Sequence, residues 1–305
     1  MPTVLISGAA GFVGSHVTDE AARRGLDPRL MSHRRPVPER PALSADLTDP
    51  ASLTGICEGV DVLLHCASYI GSSPEANEDV NARGTQNLLA EARRGGVGRI
   101  VYVSTASVYG RGVFRHAAPE ELVRDPASPT SRSRAAAEDA VLEAGGIVLR
   151  PHLVYGRGDV WVVPGLVRLL RALPGTVEGW PARLSLISVR ELARLVVGAG
   201  LAPAADLRFA AYHAVHPVPE TAGTLLRAVA DRAALPWPER DLTLARAGEL
   251  LAEDPRSAHA LAMLTTDHWF DPTPLWHDLR LTPGSGFATD FAEAAEWYGR
   301  APVST

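Results

Sequence analysis

Gly8, Gly11 and Gly14 stand three residues apart in the stretch Ser7-Gly8-Ala9-Ala10-Gly11-Phe12-Val13-Gly14. A short aliphatic run, Thr3-Val4-Leu5-Ile6, precedes them, and a helical pattern from Ser15 to Arg24 follows. Strand, glycine-rich turn and helix form the setting in which a turn binds the pyrophosphate of a dinucleotide. Gly8 allows the tight turn, Gly11 lets the backbone approach the phosphates, and Gly14 lets the helix pack closely on the strand. Ala10, Phe12 and Val13 share this turn, whose free amides and helix dipole attract phosphate. A second charged feature lies at Ser32-His33-Arg34-Arg35, directly after the strand-like Arg29-Leu30-Met31-Ser32. A carboxylate there would bond a ribose 2′-hydroxyl, whereas arginine accommodates a 2′-phosphate. This segment offers no carboxylate and two guanidinium forks. It points to NADPH over NADH, with His33, Arg34 and Arg35 as contacts, although a solvated basic turn has the same charge pattern.

The elements that must position these residues alternate along the chain. Val60 to Ser68 is an apolar run ending in small residues, as a central parallel strand with a loop at its carboxyl end does. Arg99-Ile100-Val101-Tyr102-Val103 reads as a further strand, and Tyr212-His213-Ala214-Val215 as another. Helical patterns lie between them, including one near Pro50 to Glu58 that Thr48 or Asp49 would cap. In such an arrangement ligands bind outside the carboxyl ends of the strands.

The G-x-x-G-x-x-G spacing after Ser7 is joined by Asn81-Ala82-Arg83-Gly84-Thr85-Gln86-Asn87, by Ser104-Thr105-Ala106-Ser107-Val108-Tyr109-Gly110 and by Arg150-Pro151-His152-Leu153-Val154-Tyr155-Gly156-Arg157-Gly158-Asp159. Together these resemble the extended short-chain dehydrogenases/reductases, the epimerase/dehydratase-like branch of that family. The resemblance implies an α/β fold, a Rossmann-type doubly wound parallel sheet with a smaller intertwined C-terminal lobe. Residues 1–155, with roughly 185–202, would form the NADP-binding domain; roughly 156–184 and 203–305 would form the substrate lobe. It implies that Asp46 and Leu47 lie beside the adenine, that Cys66 and Ala67 line the cofactor ribose, and that Pro151 packs near the nicotinamide carboxamide. Thr105 would hold the reacting oxygen of the substrate. Asn81 and Tyr155 are expected to be structural.

One departure from the family matters. Its members carry a Tyr-x-x-x-Lys pair on a helix after Ser-Pro. Here Ser128-Pro129 is followed by Thr130 and Arg134 at the matching positions, and the whole chain contains no lysine. The i, i+4 spacing keeps both on one helix face. A tyrosine near a cation serves as acid or base; a threonine hydroxyl does not near neutral pH. Arg134 retains its proton but can bond the nicotinamide ribose. Thr105, Thr130 and Arg134 are therefore the candidate catalytic group. Tyr109, Tyr155, His65, His116 and His152 are the other donors by type. A phenol beside the reacting ketone, as aromatic polyketides carry, would itself steady the developing charge.

The remaining numbers exclude other classes. A net charge of −5 without a basic block argues against nucleic acid. No apolar run spans a bilayer, and the N-terminus enters a strand at once, so a cytoplasmic protein is expected. Cys57 and Cys66 read as buried thiols, and no metal site is expected. The leading expectation is an NADPH-dependent ketoreductase of a small molecule. The chain also resembles members that lack the Tyr/Lys pair, among them tailoring enzymes of aromatic polyketide antibiotics, and that resemblance, with the lysine-free, arginine-rich composition, implies an angucyclinone-type substrate. The alternatives are a non-catalytic NADP-binding regulator and a sugar-nucleotide epimerase or dehydratase. The C-terminal aromatics Trp161, Trp180, Trp237, Trp269, Trp276 and Phe287 serve either as stacking surfaces or as core of the lobe. Oligomeric state is not legible in the sequence.

Overall fold

A computed structural model describes residues 1–300 of the chain. Seven strands form its main sheet: β1 (Val4–Ser7), β2 (Arg29–Ser32), β3 (Leu43–Ser44), β4 (Val62–His65), β5 (Arg99–Val103), β6 (Ile147–Arg150) and β7 (Ala211–His213). Their spatial order is β3-β2-β1-β4-β5-β6-β7, and every neighbouring pair is parallel. The strands are apolar on both sides because both faces are covered. Ile6, Leu64, Val103 and Leu149 pack against α1 (Phe12–Arg23) and α4 (Val189–Leu201) through Val17, Ala21, Leu192 and Val196. Leu5, Leu63, Tyr102 and Val148 face α2 (Gly84–Arg94) and α3 (Pro129–Glu143) through Leu88, Ala92, Ala137 and Val141.

Local chemistry sets the helix starts. Ser128 accepts from the Ser131 N–H at 3.0 Å while Ser131 Oγ accepts from the Ser128 N–H at 2.9 Å. This reciprocal cap, with Pro129 in the first turn, fixes where α3 begins. A separate core gathers Leu166, Leu169, Leu184, Leu225, Val229, Leu261 and Phe287 under the helices Val162–Ala172, Ala222–Arg232 and Pro255–Leu264. A smaller sheet in the order 220–221, 183–184, 268–270, 114–117 lies outside the main one.

One expected element differs. The helix near Pro50 to Glu58 is only a 3-10 turn, Pro50–Leu53, capped by Asp49. Gly55 adopts φ +85° two residues later, a backbone state that ends a helix. The Asn81-to-Asn87 stretch enters α2 through a π-helical turn, Glu78–Arg83.

Candidate functional site

The parallel order brings the carboxyl ends of β1, β4, β5 and β6 into one row. Gly8 follows β1, Cys66 and Ala67 follow β4, Ser104 and Thr105 follow β5, and Pro151 follows β6. The strand order reverses between β1 and β4, and such a switch point opens a crevice for ligand. Gly8 has φ +68°, and a Cβ there would stand 2.7 Å from the Ala67 backbone. A Cβ at Gly14 would overlap the Gly8 carbonyl, and one at Gly11 would lie 3.0 Å from it. Only glycine fits at positions 8 and 14, and a side chain at position 11 would crowd the Gly8 carbonyl. Gly11 stands at the N-cap of α1, where no side chain caps the helix and no acid occupies the first turn. Ala10, Phe12 and Val13 are half-buried around it. A bare helix start at a backbone cradle that a Cβ would fill suits a dinucleotide pyrophosphate.

At the end of β2, His33, Arg34 and Arg35 are all exposed. His33 Nε2 lies 3.3 Å from Asp46 Oδ2. Desolvation opposes the Asp46 charge, but the Thr48 N–H and hydroxyl both donate to Oδ1, and its carboxyl is held below the usual range. Arg34 and Arg35 make no ion pair among the described residues. Leu47 is buried, and a Cβ at Gly84 would come within 2.8 Å of its side chain. Asn87 Nδ2 donates to the Leu47 carbonyl at 2.9 Å. The Gly84-Thr85-Gln86-Asn87 stretch thus seats α2 against the loop that carries Asp46.

Thr105 is tied to the neighbouring strand end. Ala106 N–H donates to the Pro151 carbonyl and Ser104 N–H to the Leu149 carbonyl, each at 2.7 Å. Thr105 Oγ1 accepts from the Ser107 N–H at 3.1 Å and lies 3.0 Å from Ser107 Oγ. Thr130, one helical turn before Arg134, donates its hydroxyl to the Gly71 carbonyl at 3.3 Å. Arg134 is buried, donates from Nη2 to the Val103 carbonyl and lies over the Tyr102 ring at 5.4 Å. Its Nε is buried without a hydrogen-bond partner, a donor left free at the end of β5. Asn81 is structural here: its amide bonds Tyr69 N and O and Ser133 Oγ, fixing the loop after β4 to α3.

The other proton donors suggested by type differ in their surroundings, and His152 Nε2 is buried without a hydrogen-bond partner. Thr85 gives its hydrogen to the Asn81 carbonyl at 2.5 Å, so His65 Nε2–H donates to Thr85 at 3.0 Å and Nδ1 accepts from Ser7 at 2.6 Å. Burial, aided by the Arg134 charge, lowers His65 to about 3. Burial likewise lowers His152 to about 3, with His268 and His213 adding repulsion. Tyr109 is buried, pushed up to about 12 by desolvation despite Arg150 beside it. Tyr155 is buried against Phe287 and Phe291, and burial raises its phenol. His116 is exposed, 4.0 Å from Asp271. Cys57 is buried as expected, whereas Cys66 is partly exposed, with its thiol pushed up to about 12 by desolvation. Trp180, Trp276 and Phe287 are buried core.

Sequence reasoning missed the buried chain Glu138–Arg150–Tyr109–His213 beneath this row. Arg150 Nη1 donates to Tyr109 Oη, which lies 2.7 Å from His213 Nε2. Arg150 and Tyr109 lie in matched family segments, but nothing in the sequence pairs them with His213, 104 positions away from Tyr109.

The profile of the NAD dependent epimerase/dehydratase family matches residues 4–203. The chain belongs to that family, within the extended short-chain dehydrogenases/reductases. The 2-alkyl-3-oxoalkanoate reductase of Stenotrophomonas maltophilia is 28% identical over 92% of this chain and 94% of its own. The 4-hydroxy-2-methyl-3-oxo-4-farnesyl-3,4-dihydroquinoline-1-oxide ketoreductase of Stigmatella aurantiaca is 28% identical over 55% of this chain. The chain spans about half of that relative, 54% of its length. Among solved structures, the enzyme WbmH of Bordetella bronchiseptica, in complex with NAD+, has a TM-score of 0.76 at 23% identity. The likeness covers 98% of this chain and 99% of that one, and establishes the fold. Family, fold and reductase relatives make the protein an NAD(P)-dependent oxidoreductase. No helix among the described residues is long and apolar enough to cross a membrane.

Proposed function

We propose that the protein is an NADPH-dependent ketoreductase that reduces a ketone of a small aromatic molecule, of the angucyclinone polyketide type. The observation that carries this reading is the row Gly8, Ala67, Thr105, Pro151 at the strand ends, with the buried Arg134 guanidinium beneath it. NADPH supplies a hydride when bound. The Gly8–Val13 turn would hold its pyrophosphate, Asp46 and Leu47 its adenine, and His33, Arg34 and Arg35 its 2′-phosphate. Cys66, Ala67 and Arg134 would line the nicotinamide ribose, and Pro151 the carboxamide. Thr105 would donate to the substrate oxygen, and Thr130 would border the substrate without acting as an acid. Residues 1–155 with roughly 185–202 would serve the cofactor, and roughly 156–184 and 203–305 the substrate, with the cleft between them as the site.

A ketone rather than a sugar nucleotide is favoured because epimerases and dehydratases rely on the tyrosine that Thr130 replaces. The test is a screen of NADPH oxidation against aromatic ketones and sugar nucleotides. Turnover of phenol-flanked ketones alone supports the reading. Turnover of sugar nucleotides, or tight NADPH binding without turnover of anything, overturns it.

A further inference from the structure

We propose that Ser107 aims the Thr105 hydroxyl at the substrate oxygen and feeds it protons from water. The inference rests on the ketoreductase reading and addresses what that reading leaves open, the source of the proton.

Four groups around the row are held by their bonds or their charge. Thr130 spends its hydrogen on the Gly71 carbonyl. Tyr109 is buried between Arg150 and His213. His65 is bonded at both ring nitrogens and is neutral. The Arg134 guanidinium does not release a proton. Thr105 and Ser107 stand just past the end of β5 with their oxygens 3.0 Å apart.

A hydroxyl has one hydrogen to give and two lone pairs to accept with. Thr105 Oγ1 accepts one bond from the Ser107 N–H. When Ser107 Oγ–H fills the second lone pair, the Thr105 hydrogen has no protein acceptor and points out of the turn. Ser107 is exposed, so water replaces its hydrogen. Thr105 is only half-buried, so its hydrogen can reach a ligand. The proton count closes. The carbonyl carbon gains the hydride of a reduced nicotinamide and its π pair moves to oxygen. That oxygen, by then an alkoxide about as basic as a threonine alkoxide, takes the Thr105 proton as the old O–H bond breaks. In the same step Thr105 takes the Ser107 proton and Ser107 takes one from solvent, so no threonine anion forms and Thr105 passes a proton on without acting as a free acid. A phenol on the substrate steadies the oxyanion but leaves this net proton to be delivered.

Ser107 is thus a positioning and relay residue. Ser107→Ala keeps the backbone N–H that caps Thr105, so the turn survives. With a peri-hydroxy tetralone as ketone, Ser107→Ala is expected to lower kcat about tenfold or more, with KM for NADPH unchanged. The wild-type solvent isotope effect should come from more than one proton and reduce to one in the variant, and Ser107→Thr should restore both. In the absence of cofactor, Ser107→Ala should bind the same tetralone several-fold more weakly, because Thr105 loses its fixed direction. Unchanged kcat, an unchanged proton inventory or unchanged tetralone affinity in Ser107→Ala would overturn the assignment while leaving the ketoreductase reading intact. Failure of the wild-type protein to reduce any ketone, with NADPH bound, would overturn the functional reading and the relay with it.

Discussion

The Arg150 guanidinium meets the Glu138 carboxylate through two bonds, Nε to Oε1 at 3.0 Å and Nη2 to Oε2 at 2.6 Å, with both side chains buried. This pair joins α3 to the end of β6 and so sets the distance between the helix that carries Arg134 and the strand that leads to Pro151. Breaking a buried pair leaves an uncompensated charge, so Glu138→Gln should lose roughly 3 kcal/mol of unfolding free energy in denaturant titration. Glu138→Gln combined with Arg150→Met should recover part of that loss. A double variant no more stable than Glu138→Gln would show that the pair is not coupled as described.

Arg34 and Arg35 are exposed and make no ion pair among the described residues, so their charges are available to a 2′-phosphate. Replacing both by alanine should weaken NADPH binding by about tenfold or more, as loss of bidentate contacts does, and leave NADH nearly unchanged. Fluorescence titration with each cofactor reads the ratio. Equal affinity for the two cofactors in the unaltered protein would contradict the role of this turn.

Thr130 and Arg134 should part ways under substitution. The Thr130 hydroxyl makes one bond to Gly71 at 3.3 Å, so Thr130→Val should change kcat by no more than about threefold. Arg134→Met should remove cofactor affinity, and Arg134→Lys should keep some of it, because a cation and a donor remain. Abolished turnover in Thr130→Val with normal NADPH binding would make Thr130 the acid after all.

Acid should unfold the protein through its buried histidines. Burial lowers His65, His152 and His213 to about 3, against about 6.5 in an unfolded chain. Between those limits the unfolded chain binds more protons. Their contribution is therefore fully present above about pH 6.5 and is lost as pH falls toward 3, by at most ~1.4 kcal/mol per pH unit for each histidine. Chemical denaturation at pH 7, 6 and 5 measures the slope, and His65→Asn should flatten it. An identical slope in that variant would mean that His65 does not contribute to acid stability.

The parallel-sheet part of the molecule was legible because its features are local. Gly8, Gly11 and Gly14 declare a backbone approach through the absence of Cβ atoms, and β2 fell on Arg29–Ser32 because an apolar run ends there at a charge. The row at the strand ends followed from topology once the parallel order was clear. The 50–58 segment misled, since its composition suits a helix while Gly55 turns the backbone to positive φ. The Glu138–Arg150–Tyr109–His213 chain was hidden because it is made of long-range contacts, which no window of sequence displays. The commitment of Thr130 to Gly71 was hidden for the same reason, 59 positions apart.

The most direct test of the central claim is transfer of a labelled hydride. The protein is mixed with NADPH carrying deuterium at the transferable position and a phenol-flanked aromatic ketone, and the product is analysed by mass spectrometry and NMR. The expected result is one deuterium on the carbinol carbon, in a single configuration, with NADPH far better than NADH. Bound NADPH that is never oxidised, or deuterium found anywhere but the carbinol carbon, would contradict the account.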